Sequence, residues 1–155
     1  MFVNLENKEI QYILEHNYLG HLGYIYLNRP YVVPITYYFD KEQKSIICYS
    51  GQGHKIVAML INTAVSLQVE EVDSVTNWKS VLIHGTFEPL KGVSAKVNLY
   101  KFTAGLRNIV LKKEHKKANF ISELSSKIYN NENLVVFIIR IKQLIGKKRI
   151  TFEAY

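Results

Sequence analysis

The chain has 155 residues, of which 48% are hydrophobic and 21% are charged, and its formal net charge is +7. This length and composition are those of a single globular domain and exclude an intrinsically disordered chain. No apolar run reaches the roughly 18 residues of a membrane-spanning helix, and the N-terminus lacks the basic and apolar regions of a secretory signal. With Cys48 as the only cysteine, no internal disulfide can form, and we expect a cytoplasmic protein.

The elements follow one another along the chain without a linker or an internal repeat, which predicts one domain over residues 1–155. The first helix begins at Asn7, where an amide side chain can cap it, and buries Ile10, Ile13 and Leu14. Turn residues separate the β-rich runs that follow. The predicted strands are 21–27, 31–39, 45–49, 64–72, 78–90 and 134–145, and the further predicted helices are 54–61, 93–111 and 124–129.

Six short and mostly antiparallel strands predict a closed or face-to-face β architecture, because open sheet edges invite association. The runs VVPITYY (32–38) and LVVFIIRI (134–141) are apolar on both faces. A second apolar face must be covered by a helix or by another subunit, and from this we expect a homodimer.

The charge is uneven along the chain. Residues 1–90 contain six Lys and Arg against nine Asp and Glu, whereas residues 91–155 contain 14 against four. A basic half can indicate a nucleic-acid partner, but lysine-rich faces are more often simply solvated. Aromatic residues do not interleave with this basic stretch as stacking platforms would, so the sequence argues against nucleic acid.

The stretch YSGQGHK (49–55) places a hydroxyl, two glycines, a histidine and a lysine at the start of a predicted helix. A helix N-terminus with these residues suits an anion. It is neither a P-loop nor a dinucleotide G-x-G-x-x-G, because Ile56 stands where the first needs a hydroxyl and the second needs a glycine. These residues alone leave an anion site and a plain exposed turn equally open.

Other chemistry is weakly supported or ambiguous. The histidines are not spaced as metal ligands, so we expect no metal. The sequence also lacks the G-x-S-x-G elbow of a serine hydrolase. Pro34 interrupts a predicted strand, which makes that strand an edge or a bulge whose free backbone groups could meet a flat heterocycle. Trp78 and Ser80 begin another strand, and read alone they fit a core ring beside a surface hydroxyl.

Three segments, taken in order, resemble the FMN-binding split barrel of the pyridoxamine 5'-phosphate oxidase-like superfamily. They are GHLGYIYLNRPYVVPITYYFD, ICYSGQGHKIVAMLINTAVSLQVE and WKSVLIHGTFEPL. The most similar branch is that of small flavin-nucleotide-binding proteins related to nitroimidazole-resistance proteins. The resemblance implies a mainly β fold, a six-stranded antiparallel split β-barrel with Greek-key-like connections and peripheral helices. It also implies a homodimer with FMN at the subunit interface.

The resemblance further implies which residues hold the cofactor. The phosphate would lie at the mouth of the second helix, and the isoalloxazine ring would lie along the backbone of the strand around Pro34. The implied cofactor-binding residues are Val33, Pro34, Ile35, Thr36, Tyr37, Ser50, Gly53, His54, Lys55, Trp78, Ser80 and Val81. The vitamin-processing oxidase has an Arg-Lys pair at the phosphate, whereas this chain has His54-Lys55, so oxidation of pyridoxamine phosphate itself is not expected.

From this resemblance we expect a flavin-dependent oxidoreductase that acts on a small nitroaromatic or quinone-like substrate. His54 is the candidate catalytic proton donor, because histidine gains and loses a proton near neutral pH. Two alternatives stay open at this point. One is a flavin carrier or sensor without turnover. The other is a related split barrel that binds a deazaflavin or a haem, for which His21, His84 or His115 would be the axial ligand.

Overall fold

The computed structural model describes residues 1–114 and 134–151. Within this part, eight strands and three helices follow one another along the chain. They are β1 (Phe2–Asn4), α1 (Asn7–His16), β2 (Leu19–Tyr26), β3 (Arg29–Thr36), β4 (Tyr38–Asp40), β5 (Ser45–Gly51), α2 (His54–Ile61), β6 (Ala64–Ser74), β7 (Asn77–Pro89), α3 (Gly92–Glu114) and β8 (Leu134–Arg149). A short strand at the N-terminus was not predicted, and the predicted strand over residues 31–39 is divided into two strands at Tyr37. The predicted helix at 124–129 lies outside the described residues.

The strands form one antiparallel sheet in the order β3-β2-β6-β7-β8-β5-β4, and β1 pairs with β8. The two strands at the ends of this order, β3 and β4, are separated in the chain by Tyr37 alone. The bend at Tyr37 therefore draws the ends of the sheet together. The Tyr37 N–H donates to the Tyr18 carbonyl at 2.9 Å, and its hydroxyl donates to the Leu14 carbonyl at 3.0 Å. Six long strands closed in this way, with peripheral helices, confirm the predicted split barrel.

The inside of the barrel is one hydrophobic cluster to which every long strand contributes. Alternation along each strand selects its members, since successive side chains point to opposite faces. Helix α1 adds Ile10, Ile13 and Leu14, as predicted, and α2 adds Ile56 and Met59.

A second hydrophobic cluster lies outside the barrel, beneath α3. Ile47 of β5 and Ile138 of β8 point away from the barrel interior and pack with Leu99, Phe102 and Leu106 of α3. The apolar second face of residues 134–141 is thus covered by a helix of the same chain. A second subunit is therefore not needed to cover this face. A homodimer would have to cover apolar faces on other strands.

Two local details differ from the sequence-based expectations. The β2–β3 hairpin turns at Leu27 and Asn28, whose φ angles are 48° and 64°, so Arg29 already pairs with Tyr26. Positive φ at both central residues is the type I′ turn, whose twist matches that of the strands. Helix α1 is capped by Glu6 and not by Asn7, because the Glu6 N–H donates to the Glu9 carboxylate at 3.0 Å. No helix in the described ranges is both long and apolar enough to cross a membrane.

Candidate functional site

The loop between β5 and α2 presents open backbone at a helix N-terminus. Gly53 is the N-cap of α2, and no side chain caps the helix there. The first N–H groups of an α-helix have no partner within the helix and carry the positive end of its dipole. At Gly51 and Gly53 no atom lies within 4 Å of the position that a Cβ would take, so the loop is open to solvent. An anion such as a phosphate group fits these free donors.

Ser50 and Lys55 flank this loop. The Ser50 side chain is buried at the end of β5 and donates to the Gly51 carbonyl at 3.1 Å. Lys55 is half-buried, and no carboxylate in the described ranges lies within ion-pairing distance of it. Burial raises the pKa of Cys48 on β5, and the charge of Lys55 acts on that thiol in the opposite direction. Lys55 thus brings a positive charge to the first turn of α2, where it could attract an anion.

His54 is held against three tyrosine rings. Its ring centroid lies 5.9 Å from that of Tyr24, 4.6 Å from that of Tyr26 and 4.8 Å from that of Tyr31. The Tyr24 hydroxyl is 3.2 Å from His54 Nδ1. The hydroxyl can donate a hydrogen bond to this nitrogen when the nitrogen carries no proton, and burial raises the pKa of Tyr24. These contacts dock the first turn of α2 on the β2–β3 hairpin, and the role of His54 as a proton donor stays a prediction.

One proline and three polar side chains form a row across four strands on the outside of the barrel, and we call it the outer strip: Pro34, His21, Gln68 and Ser80. Pro34 and Gln68 are the cross-strand partners of His21 on its two sides. His21 Nδ1 lies 3.0 Å from Gln68 Oε1, and Gln68 Nε2 donates to Ser80 Oγ at 2.9 Å and to Glu70 at 3.0 Å. The fold therefore brings together Pro34 and Ser80, which the sequence singled out separately.

His21 and Gln68 were not predicted as part of a cofactor surface, although His21 was named as a possible haem ligand. The signal that reveals them is the register, since β2 and β6 link β3 to β7 and directly paired residues share a face. His84 lies elsewhere on the outer surface, with Nδ1 2.8 Å from Ser66 Oγ. His115 lies outside the described residues.

The remaining predicted residues divide between the two faces of their strands. Val33, Ile35, Tyr37 and Val81 belong to the barrel interior, and Tyr37 and Val81 are completely buried. A ligand on the outside could reach these four only through their backbone, and the Tyr37 N–H is already bonded. Their neighbours Pro34, Thr36, Trp78 and Ser80 alternate with them on the outer side. Strand β3 is at an end of the sheet, where the proline of an edge strand belongs.

Three surface cavities lie away from these residues. One of about 310 Å³ is between α1 and α3, one of about 510 Å³ is between α3 and the segment 38–42, and a third of about 480 Å³ meets the α2 loop at Gln52. None of the three is lined by a predicted cofactor residue. The outer strip lies on the outward face of the sheet, outside these three cavities.

Comparison with known proteins gives the family. Residues 6–119 match the profile of the pyridoxamine 5'-phosphate oxidase family, and the chain belongs to that family. An uncharacterised protein of Rhizobium meliloti (strain 1021) is 36% identical over 91 residues, which are 58% of this chain and 59% of that protein. The chain thus matches well under two thirds of the length of this relative.

Two solved structures extend the comparison to almost the whole chain. A FAD-binding protein from Mesorhizobium loti is 27% identical, with a TM-score of 0.68, over 96% of this chain and 98% of its own. A candidate 5-nitroimidazole antibiotic resistance protein from Bacteroides thetaiotaomicron is 18% identical, with a TM-score of 0.64, over 96% and 87% of the two chains. These neighbours confirm the resemblance that the three sequence segments indicated.

Proposed function

We propose that this protein binds FMN and acts as a flavin-dependent oxidoreductase on a small nitroaromatic or quinone-like substrate. The observation that carries the proposal is the N-terminus of α2, where N–H groups without a side-chain cap, an open loop and Lys55 lie together, and Lys55 has no carboxylate partner among residues 1–114 and 134–151. A terminal phosphate is the group of FMN that such a site would bind. The FAD-binding neighbour and the membership of the oxidase family support a flavin as the ligand.

Different residues of this chain would bind different parts of the cofactor. Ser50, the loop at Gly53 and Lys55 would hold the phosphate, and His54 would keep α2 in place beneath it. From there the flavin would extend along the backbone of β3 and the outer strip towards Ser80 and Trp78. When bound, FMN supplies the transfer of a hydride or of single electrons, and the protein supplies its position and its electrostatic surroundings.

An absorption spectrum of the protein purified with added FMN tests the cofactor, and the response to NADH and NADPH tests the activity. We expect flavin bands that bleach when one of the two nicotinamides is added anaerobically and return with a nitroaromatic or quinone acceptor. A bound flavin that neither nicotinamide reduces would identify a carrier or sensor. A protein without flavin bands, or with the spectrum of a haem, would contradict the proposal.

We further propose that the flavin lies at the interface of a homodimer. Apolar side chains lie on the same outer face as the outer strip: Leu19, Ile25, Val32 and Leu82. Val32 is 70% exposed in the single chain and lies midway along the terminal strand β3. An interface that covers this face should bury on the order of 2,000 Å² or more, as obligate dimers do.

Sedimentation at micromolar concentration should therefore give a dimer. The variant Val32→Asp should give a monomer that has lost its flavin, because it places a charge in the covered face. Val93→Asp on α3 is the matched control, since Val93 is 78% exposed and far from this face in the fold. A wild-type monomer that still holds flavin would rule out a site shared between two subunits.

A further inference from the structure

Three side chains from the two ends of the chain and from β7 meet on the outside of the sheet. We call them the terminal cluster: Phe2, Trp78 and Arg149. Arg149 of β8 is the direct cross-strand partner of Phe2 on one side and of Trp78 on the other. Directly paired residues project to the same face, so the three side chains stand in one row. The two aromatic ring centroids are 6.0 Å apart, and Arg149 Cζ lies 5.4 Å from the centroid of Phe2.

The cluster is partly open to solvent. Phe2 keeps 68% of its surface exposed, and Trp78 and Arg149 are half-buried. Arg149 donates one N–H to the Val75 carbonyl at 3.2 Å, which orients the guanidinium group. A guanidinium has five N–H donors, and in the part of the chain that the structure describes this is the one side-chain hydrogen bond that Arg149 makes.

The charge around the cluster favours an anion. Lys147 is the cross-strand partner of Ser80 on the same face, and its ammonium group donates to Asn4 Oδ1 at 2.5 Å. In the described ranges neither Lys147 nor Arg149 has a carboxylate within ion-pairing distance. Two acids lie near by register. Glu70 is the partner of Ser80 on the other side and accepts from Gln68, and Asp73 follows Val72, the partner of Trp78, and accepts from Asn77.

We propose that the terminal cluster is a binding site for a planar aromatic carboxylate. The guanidinium of Arg149 can hold a carboxylate through two parallel hydrogen bonds, a geometry that lysine does not offer. The ring of the ligand would lie against Trp78 and Phe2, whose faces supply apolar contact. The site is built from β1, β7 and β8 alone. It goes beyond the proposed function because it does not depend on a bound flavin.

If flavin also binds as proposed, this site adjoins it. Lys147 connects the terminal cluster to Ser80, the last residue of the outer strip. A carboxylate-bearing aromatic compound in the cluster would thus lie beside the end of the flavin surface, where a substrate is needed. Within the proposed nitroaromatic substrates, this site would favour those that carry a carboxylate.

Calorimetric titration of the purified full-length chain with 4-nitrobenzoate and with 4-nitrobenzamide tests this site. The two probes share a ring and differ in charge. We expect the carboxylate to bind about tenfold more tightly, which corresponds to about 1.4 kcal/mol. Trp78 is the only tryptophan of the chain, so saturable quenching of its fluorescence would locate the probe. Free N-acetyltryptophanamide corrects for collisional quenching.

Variants distinguish specific binding at the terminal cluster from general electrostatic attraction to a basic surface. Arg149→Gln should remove the preference for the carboxylate, and Arg149→Lys should restore only part of it, because the planar fork is lost. Lys148→Gln is the matched control, since Lys148 alternates to the other face of β8 and pairs with Glu9 at 2.9 Å. Equal affinity for the two probes in the wild-type protein, or a preference that survives Arg149→Gln, would overturn the inference. Either result can be obtained whether or not the protein contains flavin.

Discussion

Replacing Lys55 by alanine is expected to weaken FMN binding by about 10- to 150-fold. The side chain would form a charge-assisted hydrogen bond with the phosphate in a partly desolvated position, and such bonds contribute about 1.5–3 kcal/mol. At about 1.4 kcal/mol per tenfold change, this gives the stated range. The half-buried position of Lys55 and its lack of a carboxylate partner in the described ranges support a value above that of a surface ion pair. Titration followed by flavin fluorescence measures the effect.

Riboflavin is the control that assigns the loss to the phosphate, because it has the ring of FMN without the phosphate. The wild-type protein should prefer FMN, and Lys55→Ala should remove most of that preference while leaving riboflavin binding nearly unchanged. Lys91→Ala is the matched variant, since it removes an exposed lysine just before α3. If Lys55→Ala weakened both ligands equally, Lys55 would be a structural residue and the phosphate would bind elsewhere.

Replacing Phe102 by alanine is expected to lower the free energy of unfolding by about 3–5 kcal/mol, the usual cost of removing a buried phenylalanine. Phe102 is only 1% exposed and belongs to the cluster between α3 and the outer face of β5 and β8. Its ring packs edge-on against Tyr49, with centroids 5.2 Å apart. Chemical denaturation followed by circular dichroism measures the change.

The control for Phe102→Ala is on the same helix. Tyr100 is 70% exposed, and Tyr100→Ala should change the stability by no more than about 0.5 kcal/mol, as surface substitutions usually do. Equal effects of the two variants would show that α3 is not docked through the face that carries Phe102. The apolar outer face of β8 would then need a partner subunit after all.

The sequence by itself determined the elements and the family. Period-two and helical patterns placed the helix over His54–Ile61 at its observed bounds, and most other elements within two residues. The bounds could be predicted because strands and helices bury their apolar faces at fixed periods, and these periods are visible in the spacing of apolar residues. Where the end of an element differs from the prediction, pairing with neighbouring strands explains the clearest case. Strand β8 continues to Arg149 because β7 and the short β1 hold its last residues from both sides.

The proposed anion site could also be predicted from the sequence, because all its parts are close together in the chain. Ser50, Gly53, His54 and Lys55 lie within six residues, and a helix N-terminus needs no distant partner to bind an anion. The sequence could not show that His54 packs on Tyr24, Tyr26 and Tyr31, since those contacts join α2 to a hairpin more than 20 residues earlier.

Only the tertiary structure decided what covers each apolar face and which polar residues lie on the same face of the sheet. The sequence named a helix or a second subunit as the cover of the outer face of residues 134–141 and led us to expect the subunit, whereas in the structure α3 packs on this face. His21, Gln68 and Ser80 are far apart in the chain and become neighbours only through the register of β2, β6 and β7. Register is set by the pairing of whole strands and by the core that they enclose, and no local pattern records which strand lies beside which.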